Sequence, residues 1–397
     1  MGWLVLLLTT LAQAVAAFAL LTFPAIAPDV AAHLRVPAAM IGYQITITYF
    51  GAVATSVYCG PMIRRWGACR TTQGSMMLIG SGALLASLAV IPLLAFGSFL
   101  IGLGYGMTNP AASHLLVRFS GGRHRNLIFS LKQTGVPIGG VLAGLIAPPI
   151  ALTWGWQWAP VTVALCCFAA AALLQPWRHS WDRDRDPRAS LTAKPQESFL
   201  MIWRNRPLRM LAPSGFSFSI VQMCLVTFLV TYLVQEIGFS LLEAGLLLAL
   251  MQVSGIGGRL FWGWTADRMN DGLKMIFILG LVMAGIALIV TAIDAAWPKP
   301  LIYGVFALYG ATAIGWNGVF LASVSDLTDP KFVGLVTGGI MAITFGGVLV
   351  GPAIFASLYP LIGSYGTTYG LLALVGISGG LSAYYARRRH RQSGVTP

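Results

Sequence analysis

The sequence predicts an all-α membrane protein with twelve transmembrane helices arranged as two six-helix pseudo-repeats. Three observations carry this. Of 397 residues, 57% are hydrophobic and 9% charged, against about 25% charged in soluble domains, and mean hydropathy is +0.77. Apolar stretches of about 20 residues recur along the chain, each long enough to cross a hydrocarbon core of about 30 Å as a helix. The second half also echoes the first. β-Barrel strands would be half as long and would alternate apolar with polar residues, which these stretches do not.

The opening MGWLVLLLTTLAQAVAAFALLTFPAIAP has no basic leader, and its apolar run is longer than a signal peptide's, so it reads as the first span, roughly 3–27. Turn and charge signals then bound spans at roughly 39–62, 71–90, 93–117, 127–151 and 157–176. After them comes PWRHSWDRDRDPRASLTAKPQESFLMIWRNRP, a long polar segment whose mixed charge and prolines read as a linker. Six further spans follow at roughly 208–235, 241–264, 273–293, 300–324, 332–358 and 364–386. The expected organisation is an N-terminal bundle at 1–176, a cytoplasmic linker at 177–207, a C-terminal bundle at 208–386 and a basic cytoplasmic tail at 387–397.

Net charge is +13, and its placement excludes a nucleic-acid reading. Arg64, Arg65 and Arg70 form one cluster, Arg118, Arg123 and Arg125 a second, Arg178 through Arg209 a third, and Arg387, Arg388, Arg389 and Arg391 close the chain. Clusters after every second span are the positive-inside pattern, which puts both termini in the cytoplasm and the protein in the cytoplasmic membrane. The five cysteines, Cys59, Cys69, Cys166, Cys167 and Cys224, lack metal-ligand spacing and read as small packing residues. No metal cluster, cofactor motif, Walker loop or catalytic triad is apparent, so no enzyme is expected.

A displacement of 203 residues lays IGYQITITYFGAVATSVYCGPMIRRWG over AGLLLALMQVSGIGGRLFWGWTADRMN, superposing Gly42 on Gly245, Gly60 on Gly263 and Arg65 on Arg268. A similar displacement brings Asn109 over Asn317. Parallel repeats of this kind suit a secondary transporter.

At these residues the chain resembles the major facilitator superfamily along essentially its whole length, and the resemblance implies that family's fold. GWTADRM, Gly263 to Met269, resembles the family's loop signature between the second and third helices of a bundle. In the first half GPMIRRWGACR keeps Gly60, Arg65 and Gly67 but has Arg64 where the family carries aspartate. The resemblance implies a cytoplasmic gate formed by Asp267, Arg268, Arg64, Arg65, Gly60 and Gly263. Asp267 would cap the fifth helix, whereas an arginine is unfavourable at a helix N-terminus, so Arg64 leaves the equivalent contact on helix 11 open, or simply adds to the basic cytoplasmic face. SLKQTGVPIGG and GIGGRLFWGW most resemble the cyanate-permease and monocarboxylate-type branches, the latter sharing an arginine one turn before the glycine that ends helix 8.

Lys132 lies seven residues past Arg125, about 10 Å along helix 5, and Arg259 lies eight residues before Asp267, about 12 Å along helix 8. A cation inside the hydrocarbon slab costs about 2.5–3.5 kcal/mol on insertion scales, which disfavours an idle one. Snorkelling to the headgroups or a gate pair with Asp267 are the bland alternatives. The resemblance places helices 5 and 8 side by side, hence these two cations near one another. All twelve acids fall at helix ends or in loops, so no deep carboxylate offsets them, and a bound anion would. The expectation is a secondary transporter for a small organic anion such as a monocarboxylate, working by alternating access in the lipid bilayer. A proton could ride on Asp29, Glu236, Glu243, His114 or the substrate, or a counter-anion could exchange. Tyr49, Tyr105, Asn109, Trp316 and Asn317 are candidates to line the cavity beside Lys132 and Arg259. The alternatives are an exporter of neutral or amphipathic compounds and a non-transporting membrane sensor.

Overall fold

The computed structural model describes residues 2–119, 131–191, 196–329 and 332–392. Arg123, Arg125, the first residues of the fifth predicted span and the end of the tail lie outside these. Among the described residues every regular element is helical. Ten helices are long and apolar enough to cross a membrane, and one bent pair brings the number to eleven.

The first compact unit comprises Met1–Ala193 and Ser240–Ala249. Its helices are α1 (Gly2–Ala25), α2 (Ala27–Leu34), α3 (Ile41–Trp66), α4 (Ala68–Ala86), α5 (Ile91–Phe119), α6 (Gly135–Trp154), α7 (Trp158–Leu173) and α8 (Arg178–Trp181). The second predicted span is broken: α2 meets the helix through Ala38–Ser56 at 114°, turned by Arg35 in the left-handed region and by Pro37. The third predicted span, α4, is the one too polar to count on composition. Its polar groups are nevertheless paired inside the unit, where Gln73 Nε2 donates to the Ala171 carbonyl at 3.0 Å and Ser75 Oγ to that of Gly104 at 2.7 Å. Buried hydroxyls and amides need such acceptors, so α4 lies in the bundle with its polar side turned to protein.

Residues 177–186, expected as linker, are built into this unit. Trp181 is 1% exposed, between Phe119 and Trp177. Asp182 follows it and caps α4, its carboxylate accepting from the Cys69 N–H at 2.7 Å and the Arg70 N–H at 3.0 Å. Gly67, at φ +95°, leaves the space that carboxylate fills, where any Cβ would collide with it.

The second unit comprises Lys194–Phe239 and Leu250–Pro397, with α9 (Gln196–Arg204), α10 (Arg206–Gln235), α12 (Gly272–Val290), α13 (Lys299–Ala313), α14 (Asn317–Asp326), α15 (Val333–Ile362) and α16 (Tyr365–Gln392). The helix α11 (Leu241–Met269) gives its first turns to the first unit and the rest to the second. The tenth predicted span is interrupted at 314–316. There Trp262 Nε1 donates to the Ala311 carbonyl at 2.9 Å and Arg259 Nε to that of Ile314 at 3.2 Å, so side chains of α11 take acceptors that a continuous helix would use itself. The basic tail begins as helix: α16 runs on through Arg391, and Arg387 Nε and Arg391 Nη2 reach Asp271 Oδ2 at 2.6 and 3.2 Å.

Candidate functional site

Lys132 sits one turn before α6 and is 1% exposed. Its ammonium donates to Gln13 Oε1 of α1 at 3.1 Å and to Asn109 Oδ1 of α5. Both acceptors are neutral amides, and none of the ion pairs among the described residues includes Lys132. Burial rules out snorkelling in this conformation. An ammonium has three N–H donors, and two are engaged. Gln13, itself 0% exposed, has its Nε2 without a partner among the described residues. The centre therefore gathers a buried amine and unfilled donors, and no carboxylate among the described residues is paired with it.

Close packing brings these three helices together. At Gly135 an added Cβ would lie 2.8 Å from the Thr10 carbonyl and 3.0 Å from Gln13 Cβ, and at Gly139 it would lie 2.6 Å from Ala17 Cβ. The glycines of SLKQTGVPIGG thus press α6 against α1 beside the lysine. The second unit repeats this framework. Gly102 packs on the Thr48 carbonyl and Gly310 on that of Met251, while Gly139 packs on Ala14 and Gly347 on Phe216. Seven residues before Gly347, where the first unit has Lys132, stands Ile340 at 0% exposure. The same scaffold accepts an isoleucine there, so packing alone does not call for a lysine.

The other predicted residues fall into local groups. Tyr49 and Tyr105, each 5% exposed, meet edge to face at 5.9 Å in the first unit. In the second, Trp316 Nε1 and Asn317 Nδ2 both donate to Gln222 Oε1, at 3.0 and 3.2 Å. Arg259 is partly buried and holds the Ile314 carbonyl at the break in the tenth span. Gln13 was missed by the sequence reading. Its signal was a single amide in the apolar run TTLAQAVAAF.

Of the gate candidates, the Arg64 carbonyl accepts from the Asp186 N–H at 2.7 Å, Arg65 faces Arg70, Arg178 and Arg185 around a surface cavity, and Arg268 stacks on Trp264 at 5.3 Å. An added Cβ at Gly60 or Gly263 would meet nothing within 4 Å, so neither glycine serves close packing. The helix start that Asp267 is expected to cap lies outside the described residues. Several proposed proton carriers have structural partners. Glu243 forms a capping box with Ser240, Glu236 takes the N–H groups of Tyr365 and Gly366 at the start of α16, and His114 Nε2 lies 2.7 Å from Asp184 Oδ2.

These features define a multi-pass helical membrane protein with a cationic centre buried in its first unit. Residues 6–338 match the Major Facilitator Superfamily, and the chain belongs to that family, one of transporters rather than enzymes. It is 24% identical over 307 residues to an uncharacterised transporter of this class from Mycobacterium tuberculosis, covering 74% of this chain and 66% of the relative, just under two thirds of its length. It is 23% identical over 365 residues to the hexuronate transporter of Bacillus subtilis, with 87% and 81% covered. It is 22% identical over 324 residues to the 4-hydroxybenzoate transporter of Acinetobacter baylyi, with 73% and 70% covered.

Proposed function

We propose that the protein is a secondary transporter that moves a small organic anion across a membrane by alternating access, with Lys132 as the cation that receives the substrate carboxylate. One observation carries this reading: a lysine 1% exposed whose hydrogen-bond acceptors are the uncharged side chains of Gln13 and Asn109. A buried charge held only by neutral groups is costly, and a carboxylate would neutralise it. Ile340 at the equivalent position of the second unit supports a functional reason for the charge. So do the relatives named for hexuronate and 4-hydroxybenzoate, both carboxylates. In this reading Arg259 is a second anion ligand, and Tyr49, Tyr105, Asn109, Trp316 and Asn317 shape the cavity. Asp267, Arg268, Arg64, Arg65, Gly60 and Gly263 belong to the gate.

Purified protein in liposomes is offered labelled 4-hydroxybenzoate, glucuronate and a cationic dye. The expected result is saturable uptake of an anion, lost in Lys132→Ala and reduced in Arg259→Ala. Anion uptake that survives both substitutions refutes the role of these cations. Dye movement without anion movement points instead to an exporter of other compounds, and binding without flux to a sensor.

A further inference from the structure

The folded start of the expected linker creates a second basic site, at an end of the first unit remote in sequence from Lys132. Arg65, Trp66, Arg70, Arg178, Arg185 and Pro187 line a solvent-open surface depression of about 330 Å³. Four arginines from three segments line it: the end of α3, the start of α4 and the stretch from α8 onward. Packing fixes that arrangement. Trp181 is fully buried, its carbonyl accepts from Arg118 Nη1 at 2.9 Å, and Asp182 is bound to the start of α4, so Arg178 and Arg185 are carried on an anchored segment.

Of the neighbouring acids, only Asp182 acts on an arginine of the cavity. Both oxygens of Asp182 are occupied by backbone N–H groups, although it also faces Arg178 electrostatically. Asp184 pairs with His114 and Arg118, and Asp186 Oδ1 takes the Arg188 N–H at 2.9 Å. Arg70 Nη1 donates to the neutral Gln73 Oε1 at 3.2 Å. Four arginines at the cavity thus outnumber the one carboxylate that faces them, and among the described residues the side chains of Arg65, Arg178 and Arg185 make no hydrogen bond, which leaves planar donor forks suited to phosphate oxygens. Trp66, 43% exposed at its rim, is a residue type enriched at membrane–water interfaces.

We propose that this cavity binds a phosphate group, and that its source is the headgroup of an anionic phospholipid beside the first unit. Basic pockets between transmembrane helices are a recurrent form of headgroup recognition. A lipid held here would brace the junction of α3, α4 and the anchored segment, a role distinct from that of the transport site.

The test measures binding of a palmitoyl-oleoyl phosphatidylglycerol, the matching phosphatidylcholine and inorganic phosphate to the detergent-purified full chain, by native mass spectrometry and titration. Arg178→Gln/Arg185→Gln is compared with Arg183→Gln/Arg188→Gln, which removes the same charge from the same segment but spares the cavity. Arg185→Gln alone, at an exposed position, covers the case in which the double variant misfolds. Phosphatidylglycerol affinity should fall about tenfold or more in the cavity variant and less than about twofold in the control, with phosphatidylcholine binding weak throughout. Free phosphate that binds as tightly as the lipid, and is lost in the cavity variant, keeps the phosphate site but overturns its lipid source. Equal loss in both double variants, or no loss in the cavity variants, overturns the site.

Discussion

Replacing Lys132 with methionine removes the ammonium while keeping an unbranched side chain of similar length, and so separates a structural lysine from a substrate ligand. Without ligand, the substitution leaves Gln13 Oε1 and Asn109 Oδ1 without their donor, at about 1–3 kcal/mol each when buried. It also removes a buried cation whose insertion costs about 2.5–3.5 kcal/mol. The two effects oppose each other and nearly cancel at mid-range, so the unliganded protein should lose about 1 kcal/mol of stability and no more than about 3.5 kcal/mol. Binding has no such offset. Leaving a desolvated carboxylate without its cation costs about 3–5 kcal/mol, or roughly two to three and a half decades in Kd at about 1.4 kcal/mol per decade. The assay pairs equilibrium binding of a labelled organic anion with thermal unfolding of the empty protein, and includes Lys132→Arg, which keeps the charge. An unchanged Kd in Lys132→Met would refute the assignment. So would a collapse of the empty protein with normal affinity in its folded fraction, which would make the lysine a structural element.

Three further outcomes follow from the scaffold. Asp182→Ala removes the cap of α4 and should lower stability by about 0.5–2 kcal/mol, read as a drop in unfolding temperature. Asp184 gives a pH dependence: burial pushes its pKa up, but the His114 hydrogen bond, its own backbone and Arg118 outweigh this and hold it below 3.8. Its contribution is therefore fully present above pH 3.8 and lost as pH falls through the lower folded value. Asp184→Asn should remove that acid-side loss in unfolding measured from pH 5 to 3, at a cost of less than about 1 kcal/mol near neutrality for so exposed a pair. Gly139→Val should destabilise by about 1–3 kcal/mol, since its Cβ would lie 2.6 Å from both Ala17 Cβ and the Phe18 nitrogen. Gly285→Ala, with nothing within 4 Å, serves as the control in the same thermal assay.

The helices were legible because bilayer thickness imposes a length on each apolar run and basic loops punctuate the runs. The break at 314–316 was not, since no proline marks it: there Arg259 and Trp262, from a helix distant in sequence, donate to the Ile314 and Ala311 carbonyls, a relation that local sequence does not contain. The segment around Asp182 read as linker because its composition is that of a solvated loop. The tryptophans flanking it were the available sign that part of it packs. Lys132 was legible through its depth in an apolar run, and Asn109 through the repeat. Gln13 was not, because an uncharged amide carries no sign in the sequence that it will hold an ammonium.

The neutral surroundings of Lys132 also bear on bioenergetics. In the proposed cycle an ammonium that no carboxylate among the described residues pairs with would make the empty protein respond to membrane voltage, which is worth about 2.3 kcal/mol per elementary charge per 100 mV across the full field. A bound monoanion cancels that charge. In that cycle polarisation acts on the return of the empty protein and leaves the loaded step nearly indifferent, so the resting potential drives or stalls turnover, and each turnover carries one net charge across the membrane.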